Sequence, residues 1–284
     1  VFHDWIKNVI SSFHVQADPK QNGINNYADF SKHFMRVPTS LTVKPDSRRS
    51  NNNAPNMPML TLIACDILSE RKIEFTQMWD LYWNKPEDVH PGDFIRASMS
   101  IPVFFETYCI DNIRKKSSFA IWDTHLNWQN VRKQIPDKAQ LIDGGTLSNF
   151  PINVFYNPNY PVPRMPTFGI RLQDSVLDYA SRANKNFFSY IASLFATIRF
   201  NFDRDFITKN RAYNMGVKNI DVSEHSWLNF FIEDKEKIEL FKKGARAAAE
   251  FLEQFDWELY KTERLKNFEM REDKFDNPNN MKVS

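Results

Sequence analysis

The most informative stretch of this sequence is Leu141-Ile142-Asp143-Gly144-Gly145-Thr146-Leu147-Ser148-Asn149-Phe150-Pro151-Ile152. Its first residues continue from Ala139-Gln140 and predict a short strand that runs directly into Asp143. Gly144 and Gly145 let the backbone turn sharply and let another segment approach the carboxylate closely. Asp and Gly are also the ordinary residues of tight turns, so the stretch gains its meaning only from its surroundings.

Apolar runs elsewhere in the chain predict further strands. Residues 59–65 are apolar almost throughout, which is typical of a strand buried on both faces. Residues 72–76 and 166–172 predict neighbouring strands. A parallel or mixed central sheet is therefore expected, with Asp143 at the end of one strand.

Helical spacing of apolar residues predicts the elements that cover this sheet. The predicted helices lie over residues 4–15, 27–35, 94–100, 177–216 and 234–255. Asp4 and Asp93 stand where they can cap the first and third of them, and Pro102 ends the third. By contrast, residues 111–140 show no clean period, so we expect an irregular excursion or a hairpin there.

The helix predicted over residues 234–255 has one clearly apolar face. That face is formed by Ile238, Phe241, Ala245, Ala248 and Leu252. We expect it to be buried against the sheet.

Composition excludes several classes of protein. The chain has 284 residues, 37 Lys plus Arg and 35 Asp plus Glu, and a net charge of +2, which gives no reason to expect a nucleic-acid partner. No run approaches the ~18 consecutive apolar residues of a membrane span. Cys65 and Cys109 lie in apolar surroundings, which predicts reduced, buried thiols. The first residues resemble neither a signal peptide nor a natural start, so we expect a truncated chain and an intracellular setting, cytoplasmic or peripheral to a membrane.

Three further segments stand in a fixed order around the Asp143 turn. Residues 60–65 run into Asp66-Ile67-Leu68, residues 96–102 read Arg-Ala-Ser-Met-Ser-Ile-Pro, and Asn149-Phe150-Pro151 follows the turn. This ordered set resembles the patatin-like phospholipase family. That family has an Ala-x-Asp-Leu-like turn, an Arg-Ala-Ser-x-x-Ile-Pro segment, and an Asp-Gly-Gly or Asp-Gly-Ala turn followed by Asn-x-Pro. The resemblance covers most of residues 1–265.

The resemblance implies a fold. We expect an α/β chain, a three-layer α/β/α patatin-like domain with a mainly parallel central sheet, whose N-terminal strand and nucleophile helix are missing from this chain. Residues 1–265 are then a partial acyl hydrolase domain, and residues 266–284 a polar, frayed C-terminal tail. The missing N-terminal segment is the expected structural complement.

The resemblance also implies a site. In the family, a serine within Gly-x-Ser-x-Gly attacks the ester carbonyl, and the Asp of the Asp-Gly-Gly turn is its general base. Matched by motif, the base is Asp143, and Gly144 and Gly145 form the turn that supports it. A carboxylate is a weak base for a hydroxyl, so such a dyad depends on a short contact.

The nucleophile itself has no counterpart in this sequence. No two of the seven glycines lie four apart with a serine midway. The family's glycine-rich oxyanion loop is missing as well, so the 284 residues alone are expected to be inactive. Ser98 and Ser100 are interpreted as turn and helix-packing residues, and Ser148 as a residue that bonds locally to backbone. Val103 stands where the family commonly has a small residue.

Three functions remain open. The first is a lipid acyl hydrolase, of the phospholipase A or lysophospholipase kind, that acts on phospholipid or other lipid esters and touches membranes peripherally. The second is a non-catalytic patatin-like domain that binds lipid or protein, and the third is a transacylase.

The six histidines show no metal-ligand spacing and are expected at the surface or on helices, so we predict no metal and no cofactor. Residues 187–200 are rich in aromatic residues and predict a core helix in preference to an interfacial one.

Overall fold

The computed structural model of the protein describes residues 1–13, 23–37, 40, 58–127, 134–148, 150–155, 161–173, 190, 211–225, 229 and 231–276. The described residues form two compact units, one before Phe150 and one from Phe150 onward. Both contain helices and strands, so the prediction of an α/β chain is confirmed at that level.

The sheet of the first unit has four strands. They are β1 (Leu62–Asp66), β2 (Arg71–Phe75), β3 (Tyr108–Asp111) and β4 (Lys138–Asp143). Their order is β2-β1-β4-β3, and every neighbouring pair is antiparallel. The predicted mainly parallel sheet is therefore wrong for this unit. The apolar run of residues 59–65 predicts that the strand is buried but not whether it runs parallel to its neighbours. The turn between β1 and β2 is too short for the crossover connection that a parallel pair needs.

Three helices of the first unit lie where spacing predicted them. They are α1 (Phe2–Ser11), α2 (Tyr27–Phe34) and α3 (Pro91–Ser98). The predicted caps are wrong, because Asp4 lies inside the first turn of α1, and His90, not Asp93, caps α3. Asp93 is the third residue of α3, and it accepts a hydrogen bond from the His90 N–H at 2.8 Å. Helix α3 begins three residues earlier than predicted, because Pro91 is well suited to the first position of a helix.

The segment predicted as an irregular excursion contains two helices, α4 (Ile113–Lys116) and α5 (Phe119–Leu126). Trp122 of α5 is fully buried, and its indole N–H donates to the Leu81 carbonyl at 3.2 Å. Its ring meets the Tyr82 ring edge to face, with the centroids 5.8 Å apart. These helices were missed because they are too short for a helical period to emerge.

The second unit is built on a parallel pair of strands. Its elements are β5 (Gly169–Gln173), α6 (Arg211–Gly216), β6 (Val217–Asp221), α7 (Asp234–Gln254) and α8 (Trp257–Asp276). The predicted helix over 234–255 is confirmed. Helix α8 crosses residue 265 and includes the first part of the predicted tail. The helical and aromatic predictions for residues 177–210 lie almost wholly outside the described residues.

The face of α7 predicted to be buried is exposed instead. Ile238, Phe241 and Leu252 are 54%, 77% and 58% exposed. The helix packs through another apolar row, in which the Phe251 ring meets the Phe168 ring at 5.2 Å between centroids. Helical spacing groups apolar residues on one face but does not determine which face packs against the rest of the unit, and the contact with Phe168 places Phe251 on the packed side.

Candidate functional site

Asp143 is the last residue of β4 and lies opposite Ala64 of β1. Its half-buried carboxylate accepts a hydrogen bond from the Gly145 N–H, with 2.6 Å between the nitrogen and Oδ1. Gly144, Gly145 and Thr146 form one turn of 3-10 helix directly after it. The strand end and this turn therefore fix the carboxylate in place.

Gly144 lies tightly against β1. A Cβ at this position would lie 2.1 Å from the Ile63 carbonyl oxygen and 2.4 Å from the carbonyl carbon. No side chain fits in that space, so glycine is required here by close approach of two backbones. The segment that approaches the turn is backbone of β1, and it lies against Gly144; the approach of another segment to the Asp143 carboxylate stays a prediction.

The loop after α3 is tied to the same turn. The N–H of Asp143 donates to the Ser100 carbonyl oxygen at 2.9 Å. The buried Ser100 hydroxyl accepts a hydrogen bond from the Arg96 guanidinium and donates to the Arg96 carbonyl at 2.9 Å. Arg96 thus acts through backbone and hydroxyl groups and forms no described ion pair with a carboxylate.

Ser98, Ser100 and Ser148, the three serines near the Asp143 turn in sequence or motif, all donate hydrogen bonds to backbone carbonyl groups. Ser98 Oγ donates to the Ile63 carbonyl oxygen at 2.7 Å, and Ser100 Oγ donates to Arg96 as above. The Ser148 N–H bonds to the Gly144 carbonyl at 2.9 Å. The contacts of Ser98 and Ser100 agree with their interpretation as packing and turn residues, and the interpretation of the Ser148 hydroxyl stays a prediction. Asn149, the first residue of the Asn-Phe-Pro segment that resembles the family's Asn-x-Pro, lies outside the described residues.

Exposed apolar side chains lie on both sides of Ser100 in the chain. Met99, Val103, Phe104 and Phe105 all carry a large exposed fraction, and Val103 is 90% exposed. The φ angle of Val103 is +75°, a left-handed conformation that a β-branched residue rarely adopts. An apolar, strained loop therefore begins at the residue whose carbonyl holds Asp143.

A second carboxylate, Asp66, is fully buried at the end of β1. Its oxygens accept hydrogen bonds from Ser69 Oγ at 2.8 Å, Tyr82 Oη at 3.1 Å and the Leu68 N–H at 3.1 Å. Burial and the adjacent Asp66 raise the pKa of Tyr82 well above its usual value. This carboxylate is satisfied by its own turn and by the core, which is a structural role.

A third polar cluster joins α1 to α3 around Asp93. Asp93 Oδ1 lies 2.8 Å from both Lys7 Nζ and His3 Nε2, and it accepts from Tyr108 Oη at 3.0 Å. Burial by itself raises the pKa of Asp93, but the Lys7, His90 and Tyr108 hydrogen bonds outweigh it, so the pKa is lowered. Sequence spacing gave no signal for this cluster, because its members come from three distant segments.

His90 is buried in the same region and precedes α3 as its cap, so neither expected position, at the surface or within a helix, is correct for it. Its Nδ1 accepts from the Gly92 N–H at 3.0 Å, which leaves the neutral ring protonated at Nε2. Nε2 lies 3.2 Å from Ser11 Oγ and 3.3 Å from the Ile24 carbonyl oxygen. Since the Ile24 carbonyl also accepts from Ser11 Oγ at 3.0 Å, His90 does not act as a base toward Ser11.

The two cysteines differ. Cys65 is buried, and burial, followed by the charge of Asp66, raises its pKa to about 11. Cys109 is exposed on β3, so the expectation of two buried thiols is wrong for Cys109.

Among the described residues, no three His, Cys, Asp or Glu side chains are close enough together to hold a metal ion. None of the helices in the described ranges is long and apolar enough to cross a membrane.

Comparison with known proteins reveals a distant relative of unstated activity. The chain is 26% identical over 198 residues to the uncharacterized protein YqhO of Bacillus subtilis (strain 168). The alignment covers 70% of this chain and 58% of that protein, so the chain spans less than two thirds of the relative's length. No family model matches the chain, and no solved structure does.

Proposed function

We propose that this chain is part of a patatin-like lipid acyl hydrolase that uses a Ser-Asp dyad. Asp143 is its general base, and the nucleophilic serine belongs to a segment outside these 284 residues. The observation that carries the proposal is the fixed carboxylate of Asp143, held at a strand end by the Gly145 N–H at 2.6 Å. The substrates are phospholipids or other lipid esters, and no cofactor takes part.

The proposed chemistry follows from what a fixed carboxylate can do. Asp143 takes the proton of the serine hydroxyl as the serine oxygen attacks the ester carbonyl carbon. It returns that proton to the leaving alkoxide, which leaves an acyl-serine, and a water molecule then repeats the sequence. Because a carboxylate is weakly basic, the rate depends on how well its position is fixed.

One feature supports a lipid as the substrate, and a second supports an added segment that carries the nucleophile. The Ser100 carbonyl accepts from the Asp143 N–H, and the loop that begins at Ser100 carries exposed apolar side chains at Val103, Phe104 and Phe105. Within the described residues, β2 and β3 are the outer strands of their sheet. An added segment that carries the serine and the oxyanion loop would pair there and extend the sheet toward a three-layer α/β/α arrangement. Lipid substrates bring such an enzyme to membrane surfaces as a peripheral protein.

The test is a comparison of two Asp→Asn variants in the full-length natural protein. Asp143→Asn is expected to lower hydrolysis of nitrophenyl esters and phospholipid vesicles by a factor of roughly 10²–10⁴ without changing the thermal midpoint much. Asp111→Asn is the matched control, because Asp111 is an exposed strand carboxylate paired with Lys138 at 3.2 Å. Full activity of the Asp143→Asn variant would refute the dyad.

A non-catalytic binding domain is the second candidate, and the lack of a Gly-x-Ser-x-Gly sequence in the 284 residues favours it. Labelling the full-length protein with a fluorophosphonate probe separates the two. A labelled serine together with hydrolysis supports the enzyme, whereas vesicle binding without labelling supports the binding domain. Acyl transfer to an added alcohol in place of water would identify a transacylase.

A further inference from the structure

The loop between Ser100 and Glu106 is braced at both ends by one side chain. The Arg96 guanidinium donates to Ser100 Oγ at the start of the loop and, at 2.8 Å, to the Glu106 carbonyl oxygen at its end. Inside the loop, the Phe104 and Phe105 N–H groups both bond to the Ile101 carbonyl, at 3.2 and 2.9 Å. The loop is therefore a closed, rigid turn.

This rigid turn holds Val103 in a costly conformation. A left-handed backbone at a β-branched residue costs on the order of 1–3 kcal/mol, and surrounding structure must supply it. Val103 obtains no packing in return, because its side chain is 90% exposed. A glycine would adopt the same φ of +75° without strain. Neither stability nor folding of the loop therefore accounts for a valine here.

The position of the loop suggests what the exposed valine contacts. The Ser100 carbonyl, one residue before the turn, bonds to the Asp143 N–H at 2.9 Å, so the turn is anchored directly to the proposed base. Met99, directly before Ser100, and Val103, three residues after it, both carry exposed apolar side chains. If the proposed function holds, an ester attacked beside Asp143 lies next to the loop that begins at Ser100, and Val103 is the most exposed apolar side chain of that loop.

We infer that Val103 is a specificity-determining residue that contacts the acyl chain of the substrate and favours long chains over short ones. The strain at Val103 is then the cost of holding an apolar side chain at the mouth of the site. This inference rests on the proposed acyl hydrolase function and adds to it the part of the substrate that the loop recognises. Arg96 is a positioning residue in this scheme, since it braces the loop without touching the substrate.

The experiment measures kcat/KM of the full-length protein on a series of nitrophenyl esters, from acetyl to palmitoyl. Val103→Gly is expected to lose about tenfold on the long-chain esters and to keep the wild-type value on the acetyl ester, because only a long chain reaches the valine. The same variant is expected to melt at a higher temperature, since the strain is removed. A gain in stability combined with lost long-chain preference is not produced by a merely structural residue.

Two further variants separate side chain from backbone. Val103→Ala keeps the left-handed strain but shortens the side chain, so it should lose long-chain preference without becoming more stable. Asn112→Gly is the matched control, because Asn112 also has a positive φ, of 60°, and lies at the start of another helix. It should leave the chain-length profile unchanged.

The results that overturn the inference are distinct from those that overturn the proposed function. Hydrolysis with the same chain-length profile in wild type, Val103→Gly and Val103→Ala overturns the inference alone. A profile that changes in Val103→Gly but not in Val103→Ala also overturns it, because backbone freedom would then be the cause. No hydrolysis of any ester by the wild type removes both the proposed function and the inference.

Discussion

The N–H of Asp143 donates to the carbonyl oxygen of Ser100 at 2.9 Å, which joins the end of β4 to the loop that follows α3. Two segments separated by some forty residues of chain thereby hold one carboxylate. Ile63 of β1 completes the arrangement, since its carbonyl accepts from Ser98 Oγ at 2.7 Å and lies against Gly144. The turn after Asp143 is thus held by contacts with β1 and with the loop after α3. A substitution that disrupts either segment should therefore change the position of Asp143.

Gly144→Ala should destabilise the first unit severely. The new Cβ would lie 2.1 Å from the Ile63 carbonyl oxygen, so β1 and the turn would have to separate. We expect a loss of about 3 kcal/mol or more in the free energy of unfolding. Urea unfolding followed by circular dichroism measures it. A wild-type midpoint would show that the two backbones do not lie this close.

Gly244→Ala is the matched control, and it should act in the opposite direction. Gly244 lies in the middle of α7, and a Cβ there meets no heavy atom within 4 Å. Alanine stabilises a helix interior by about 1 kcal/mol relative to glycine. The same urea experiment should therefore show a higher midpoint for this variant, and a lower one would contradict the open surroundings of Gly244.

Tyr82→Phe should destabilise the core by about 1–2 kcal/mol, because Asp66 loses a buried hydrogen bond of 3.1 Å. Tyr27→Phe is the control, since the Tyr27 hydroxyl reaches the Met35 sulfur at 3.7 Å and sulfur is a weak acceptor. Thermal unfolding of the two variants side by side measures the difference. Equal losses would mean that the Asp66 network contributes nothing beyond packing.

Burial lowers the pKa of His90 from its ordinary 6.5, although the Ile24 carbonyl and Asp93 favour the proton. The unfolded chain therefore takes up a proton near pH 6.5 that the folded chain takes up only at lower pH. Unfolding then binds a proton, and stability falls as the pH is lowered through 6.5. Lys7 and His3 add positive charge nearby and act in the same direction.

Replacement of His90 by Asn tests this pH dependence, because an Asn side chain keeps a cap for the Gly92 N–H but does not titrate. Urea unfolding as a function of pH should show a flatter curve between about pH 5 and pH 7 for this variant. His125→Gln, which leaves His90 in place, should retain the steeper fall. A His90→Asn curve parallel to that of the wild type would contradict the buried, neutral state of His90.

The two cysteines should react at very different rates. Cys109 is exposed, whereas Cys65 is buried with a pKa raised to about 11, so little thiolate is present and access is blocked. Labelling of the folded chain with a maleimide, read by mass spectrometry, should give one adduct quickly, and unfolding should give two. Cys109→Ser should abolish the fast adduct; rapid labelling of Cys65 would contradict its burial.

Much of the local structure followed from sequence, since periodicity and turn residues act over a few neighbours. The helix predicted over 234–255, which the structure shows over 234–254, and the strand before Asp143 were both predicted in this way. Strand direction was not, because an apolar run has the same composition in a parallel and an antiparallel strand. The buried cluster of His90 and Asp93 could not be foreseen either, as its partners lie on α1 and on β3.

The order of residues is sufficient to predict that Asp143 ends a strand in a glycine turn and to show that these 284 residues contain no Gly-x-Ser-x-Gly. Both are properties of adjacent residues. The surroundings of Asp143 are seen only in the folded chain. The Ile63 backbone lies against Gly144, and the Ser100 carbonyl accepts from the Asp143 N–H. Arg96 holds the loop that carries Val103. Such contacts join segments far apart in the chain, and the free energy that selects them comes from packing of the whole unit, which no local pattern encodes.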